Sequence, residues 1–287
     1  MKQINIFIKL TRLNKPIGFM LLFWPCAWGL TIAYYYDGQV NLYLKYLLLF
    51  FLGSVLMRSA GCIFNDIVDK ELDKKVARTK KRPIASGEIS VLSSFFYIII
   101  LCLIALLILL KFNLLTVILG LGSMLLAFSY PFMKRITYWP QLFLGLTFNW
   151  GIIMGWTSIT NAISIEPIIL YFSAIFWTLG YDTIYGVQDL EDDEIIGNKS
   201  TSIKFKNNIK VFVATCYSLC VLCILILFFM MQINKYLLLL SVLFIIPLVY
   251  QIMIFKLDKP NSCHFAFKLN NITGMFIFIF LLSFSFV

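Results

Sequence analysis

The sequence predicts an all-α integral membrane protein, with about nine transmembrane helices bundled around a cytoplasm-facing cavity. Three observations predict it. Of 287 residues, 61% are hydrophobic and only 13% are charged, about half the charged share of a soluble domain. The apolar residues come in long blocks, as at 91–110, 211–231 and 236–255, rather than in alternation. The cations gather in every second loop between those blocks.

About 20 apolar residues at 1.5 Å rise cross a ~30 Å hydrocarbon core. A helix is the natural form there, because it satisfies its own backbone N–H and C=O groups where no water can. The alternating ten-residue segments of an outer-membrane barrel are absent. In chain order the spans read 17–35, 43–63, 93–110, 113–130, 139–157, 167–186, 209–231, 236–255 and 269–287. The first follows a basic segment and resembles a signal peptide in outline. Its apolar run is too long, and no small-residue cleavage site follows, so it reads as a span. The third and fourth nearly touch at Lys111 and need a tight turn. No Arg/Ser-rich transit peptide precedes the first span, which favours a bacterial inner membrane. The whole of 1–287 reads as a single membrane-embedded domain.

The positive-inside rule orients these spans. Lys2, Lys9, Arg12 and Lys15 precede the first. Lys70, Lys74, Lys75, Arg78, Lys80, Lys81 and Arg82 follow the second, Lys134 and Arg135 the fourth. Lys199, Lys204, Lys206 and Lys210 follow the sixth, and Lys256, Lys259 and Lys268 the eighth. The intervening loops hold only Lys45, Lys111 and Lys235, so twenty cations face three. One missed helix would scramble that asymmetry. The N-terminus is expected in the cytoplasm and the C-terminus in the periplasm. The net charge of +10 is then a topology signal that also attracts the anionic lipid bilayer. Nucleic acid is excluded as a partner, since the basic residues sit in separate loops between spans. The seven cysteines and the lone His264 lack metal-ligand company and read as packing residues.

The acidic residues are the informative ones. Of fourteen, four fall in Asp66, Asp69, Glu71 and Asp73, and six in 182–194. Both segments lie at the same-side end of a span, the second and the sixth, where carboxylates are costly and point to function. Asn65, Asp69 and Asp73 are spaced i, i+4, i+8 and share a helix face. Like charges stacked this way call for a hard cation, and magnesium takes one or two carboxylates plus substrate phosphates. The bland alternative is a solvated helix end pairing with Lys70 and Lys74. Asp189 and Asp193 repeat the spacing, with Tyr185 one turn earlier and Asp182 about two turns before Asp189. Two facing acidic helix ends suit two Mg2+ ions around one diphosphate. Arg58 lies two turns before Asn65 on the same face, and an arginine inside an apolar span needs an anion. Arg78 and Arg82 follow the first motif and suit diphosphate capture. Lys134 and Arg135, after span four, suit a second anion such as an acceptor carboxylate.

At these residues the chain resembles the UbiA family of membrane prenyltransferases. The stretches that carry the resemblance are Asn65-Asp66-x-x-Asp69-x-x-x-Asp73 with Arg78-Thr79-x-x-Arg82-Pro83, then 130–135 (YPFMKR), then Tyr181-Asp182-x-x-Tyr185-x-x-x-Asp189-x-x-x-Asp193 with Gly197 and Ser200. The stretch Arg12-Leu13-Asn14-Lys15-Pro16-Ile17-Gly18 before Trp24-Pro25 is most similar to members acting on 4-hydroxybenzoate, with Asn14 standing where those carry Asp. The resemblance implies metal ligation by Asn65, Asp69, Asp73, Asp189 and Asp193. It implies diphosphate or acceptor contacts for Arg58, Arg135, Asp182 and Tyr185. The implied activity is Mg2+-dependent transfer of a polyprenyl group from its diphosphate to an aromatic acid, a step of ubiquinone biosynthesis, with a carboxylate such as Asp182 taking the ring proton. Other aromatic acceptors within the family remain open. A lipid-linked alcohol phosphotransferase would need a signature of Asp-Gly and Ala-Arg elements together ahead of paired aspartates, and that combined signature is not found in the sequence. A cation transporter would place its carboxylates near the bilayer midplane, whereas these lie at one edge among basic residues.

Overall fold

The computed structural model describes residues 2–76 and 78–286. Met1, Ala77 and Val287 lie outside the described residues, and with Val287 the last position of the expected ninth span. Among the described residues nine helical segments are long and apolar enough to cross a membrane: Ile17–Asp37, Val40–Val68, Val91–Leu109, Leu114–Ile136, Pro140–Thr160, Ile165–Ile196, Lys206–Met230, Lys235–Ile254 and Pro260–Ser285. All nine expected spans are there, and no strand occurs among the described residues. The sixth segment runs well beyond its expected end, and the ninth begins well before its expected start.

The individual helices are α1 (Lys2–Thr11), α2 (Ile17–Asp37), α3 (Val40–Val68), α4 (Lys70–Asp73), α5 (Val91–Leu109), α6 (Leu114–Ser129), α7 (Met133–Ile136) and α8 (Pro140–Asn149). They continue as α9 (Gly151–Thr160), α10 (Ile165–Gly186), α11 (Leu190–Ile196), α12 (Thr201–Lys204), α13 (Ile209–Met230), α14 (Val242–Ile254), α15 (Pro260–Lys268) and α16 (Asn270–Leu282). Several spans are therefore jointed rather than straight. The fourth passes through a 3-10 turn at Tyr130–Phe132, where Pro131 lacks an N–H and its ring obstructs the regular ladder. The sixth passes through one at Val187–Asp189. Asp69 interrupts the second, yet its N–H still reaches the Asn65 carbonyl at 2.9 Å, and that of Asp73 reaches the Asp69 carbonyl at 2.8 Å. The i, i+4 stagger of the first motif thus survives the joint. The N-terminal α1 was not anticipated. It packs Leu10 and Thr11 inward and sets Phe7 at a tilt against Tyr97.

Helix α2 lies at the centre, with Ala27, Trp28, Leu30 and Ile32 fully buried. It meets α9 backbone to backbone. A Cβ on Gly29 would overlap the Ile152 carbonyl, and one on Gly155 would overlap the Cys26 carbonyl and the Leu30 nitrogen. Small residues at such crossings let apolar helices approach where no hydrophobic effect drives them together. Buried polar side chains tie the remaining helices. Trp177 Nε1 donates to Asn270 Oδ1 at 2.8 Å, Asn270 Nδ2 to Gln251 Oε1 at 2.8 Å, and Tyr217 OH to the same oxygen at 2.7 Å. These bonds link α10, α13, α14 and α16. They hold α10, which carries Asp182 and Tyr185, against neighbours that cannot slide.

Candidate active site

The ends of α3 and α10 converge on a cavity of about 1300 Å³. It is lined by Asn65, Asp69 and Asp73 from one side and by Asp182, Tyr185, Asp189 and Asp193 from the other. Arg58, Arg78, Arg82 and Lys134 line it as well. Of the residues given a metal, catalytic or substrate role from sequence, Arg135 alone is outside this lining. Its Nη2 donates to the Val68 carbonyl at 2.8 Å and lies 3.4 Å from Asp69 Oδ1. Arg135 therefore braces the C-terminal end of α3, where a cation meets the free carbonyls and the negative end of the helix dipole.

The acids are held apart by cations rather than by one another. Asp69, only 1% exposed, takes the Lys134 ammonium on Oδ2 and an Asn65 amide hydrogen bond at 3.1 Å. Arg82 Nη1 bridges Asp66 Oδ1 at 3.0 Å and Asp73 Oδ2 at 2.8 Å. Burial pushes the Asp73 carboxyl up from its ordinary value, and the Arg82 guanidinium pulls it back. Arg78 grips Asp189 with two nitrogens, at 2.7 and 2.5 Å, and also donates to the Tyr185 hydroxyl at 3.2 Å. Arg78 thus joins the loop after the first motif to the second motif. The alternative pairing of the first-motif acids with Lys70 and Lys74 is limited, among the described residues, to Glu71, which takes Lys74 at 2.7 Å.

Two residues entered the site without a sequence-based role. Arg12 sits in the left-handed region at φ +57°, a conformation costing a side chain about 1–2 kcal/mol. That turn aims its guanidinium at Asp66, 2.5 Å away. Asp66, 1% exposed, thereby holds two arginines at once. The position of Arg12 beside other cations hid this, because backbone sign leaves no mark in composition. His264, expected to pack, instead lines the cavity with Lys15 and Asn261.

Asp182 and Arg58 occupy a deeper level. Each lies seven residues from its motif, about 10 Å along the helix at 1.5 Å per residue. Beyond them the lining turns apolar: Met57 from α3, Ile99, Leu103 and Leu106 from α5, Leu121 and Met124 from α6. Ile99, Leu103 and Leu121 are also 39%, 55% and 51% exposed, so the apolar branch opens sideways between α5 and α6.

The donor set fits magnesium. Four carboxylates and an amide oxygen in one cavity are hard ligands. Among the described residues no three His, Cys, Asp or Glu side chains converge to cage a metal alone. That suits an ion completing its shell with substrate phosphates.

The sequence profile described as the UbiA prenyltransferase family matches residues 22–280. Among curated relatives, 4-hydroxybenzoate polyprenyltransferase, mitochondrial, of Arabidopsis thaliana is 46% identical over 212 residues, covering 74% of this chain and 52% of that protein. The Homo sapiens protein of the same name is 48% identical over 212 residues, covering 73% and 56%. This chain spans about half the length of the curated relatives it matches. Among solved structures, an apo UbiA homolog from Aeropyrum pernix K1 superposes with a TM-score of 0.76 at 19% identity, covering 92% of this chain and 97% of that one. A UbiA homolog from Archaeoglobus fulgidus bound to GPP and Mg2+ gives 0.70 at 19% identity, covering 98% and 100%. At such identities these two show the shared fold.

Proposed function

Because this chain belongs to the UbiA prenyltransferase family, we propose that it transfers a polyprenyl group from polyprenyl diphosphate to 4-hydroxybenzoate, at the ring carbon ortho to the hydroxyl, as a step of ubiquinone biosynthesis. The observation that carries the reading is the pair of acidic motifs facing each other across one cavity, with cations between them and an apolar branch beneath. The names of the curated relatives support the acceptor. Residues 1–287 act as a single membrane-embedded domain.

Asn65, Asp69, Asp73, Asp189 and Asp193 would hold magnesium together with the diphosphate. When bound, magnesium supplies a Lewis acid that stabilises charge on the departing diphosphate. Arg78, Arg82 and Lys134, which balance the acids, add their own charge toward the same oxygens. The allylic C–O bond breaks and its electron pair leaves with the diphosphate. The ring carbon ortho to the hydroxyl forms the new C–C bond, and Asp182 takes the ring proton, restoring aromaticity. Arg58, on the same deep level, meets the acceptor carboxylate. The apolar branch takes the tail, and its dryness protects the reacting carbon from water.

The test is a membrane-fraction assay with radiolabelled 4-hydroxybenzoate, a polyprenyl diphosphate and magnesium. The expected result is label that becomes lipid-soluble only with magnesium present. No product from folded protein would sink the assignment of 4-hydroxybenzoate.

We place the protein in a bacterial inner membrane, with the N-terminus and the cavity mouth on the cytoplasmic side. The twenty-to-three division of cations supports this sidedness. Alkaline phosphatase fused after residue 287 is expected to be active, and fused after residue 134 to be silent. The reverse pattern would invert the topology.

A further inference from the structure

Arg58 is the cation the mechanism leaves unsecured. Among the described residues it forms no ion pair within 4 Å, and its Nε is buried without a hydrogen-bond partner. Lys134, Arg78 and Arg82 are each held by a motif carboxylate. Yet a long side chain with free rotamers makes a poor recognition element, because binding must first order it.

Two contacts order it in advance. The Arg58 Cζ sits 5.4 Å from the centroid of the Phe148 ring, within cation–π range. Phe148 is the penultimate residue of α8, directly before the joint to α9, and lines the cavity. On the other side lies Gly18, in the first turn of α2. A Cβ there would stand 2.9 Å from Arg58 Nε, 3.5 Å from Nη2 and 3.6 Å from Cζ. The guanidinium therefore occupies space that any other residue at position 18 would claim. Gly18 itself has no requirement for unusual backbone, since it lies inside a regular helix. What it provides is room.

We infer that Gly18 and Phe148 are positioning residues that clamp the Arg58 guanidinium, and that this clamp sets the affinity for the acceptor carboxylate. The inference rests on the functional reading above. Neither residue touches substrate in this account. Both act through the place they give to Arg58. A methyl on Gly18 meets the far end of a flexible side chain, so the fold accommodates it while the guanidinium moves by a few tenths of an ångström. Exchanging glycine for alanine inside a helix also favours the helix. Phe148→Leu keeps an apolar side chain but removes the ring face.

The test has an activity arm and a chemical arm. In the activity arm, KM for 4-hydroxybenzoate and for polyprenyl diphosphate is measured for wild type, Gly18→Ala, Phe148→Leu, Phe148→Tyr and Arg58→Gln. Gly18→Ala and Phe148→Leu are expected to raise KM for 4-hydroxybenzoate roughly tenfold, with KM for the diphosphate unchanged. Phe148→Tyr keeps a ring face and is expected to match wild type. Adding Gly18→Ala to Arg58→Gln is expected to change nothing further, since the clamped group is gone. Unchanged acceptor KM in both variants, a parallel rise in both KM values, or additive losses in the double variant would overturn the inference. If wild type transfers nothing to 4-hydroxybenzoate, the functional reading fails first. The clamp is then read from the rate at which phenylglyoxal modifies Arg58, followed by mass spectrometry of the peptide. Faster modification in Gly18→Ala and Phe148→Leu supports it, and equal rates overturn it.

Discussion

Asp69→Ala and Asp189→Ala are each expected to lower prenyl transfer roughly a thousandfold, the scale on which single charge-stabilising groups matter in a dry site. The structural argument differs between the two. Asp189 is 18% exposed and its partner Arg78 is 44% exposed, so water screens the pair and its loss costs below about 1 kcal/mol of stability. Asp189→Ala should therefore be inactive and folded, with a melting curve in detergent close to wild type. Asp69 is 1% exposed and serves Lys134, Arg135 and Asn65 together. Removing it strands two cations and costs more, although Lys134 and Arg135 are 27% and 43% exposed and water offsets part of the penalty. Asp69→Asn keeps the volume and separates the two effects, and transfer should be lost as fully as in the alanine variant. Transfer that survives in both Asp69→Asn and Asp189→Ala would end the two-motif mechanism.

Gly155→Ala should be strongly damaging although it lies away from the cavity's charged end. The added methyl overlaps backbone atoms of α2, the Cys26 carbonyl and the Leu30 nitrogen, and backbone cannot swing aside as a side chain can. The helices must separate, which breaks the packing of fully buried Trp28 and Ile152 as well. A loss of about 3 kcal/mol is the scale for overpacking of this kind. Gly122→Ala is the control, because nothing lies within 4 Å of a Cβ at that position. The measurement is the temperature at which half the protein leaves the monodisperse peak on size-exclusion chromatography. Equal temperatures for the two variants would refute the backbone contact between α2 and α9.

These two cases also mark what can be read without coordinates. The nine spans are legible because hydrocarbon imposes one period and one length on every one of them. The acidic motifs are legible because carboxylates at a membrane edge have few other reasons to be there. The joint after Asp69 leaves the i, i+4 spacing intact, so the shared face of Asn65, Asp69 and Asp73 was read correctly through a helix that is not continuous. Gly151 and Gly155 carry a written signal for close helix contact, four apart in an apolar helix, which the spacing of acids overshadowed. The link from Arg78 to Asp189 spans 111 residues and has no local mark at all. Arg135 has no such mark either: its neighbour Lys134 lines the cavity, whereas Arg135 reaches the same Asp69 while donating to the Val68 carbonyl at the end of α3.

The sideways opening between α5 and α6 bears on how a prenyl donor would be measured under the proposed activity. A tail lying in that branch leaves the protein after a few isoprene units and continues into lipid. Its distal units then have the same surroundings bound as free, so adding more of them changes the binding free energy very little. Such a site has no ruler. Under the proposed activity, discrimination between long and short donors would be confined to the units that touch Met57, Leu106 and Met124, and the membrane's own pool of donors would decide which length the product carries.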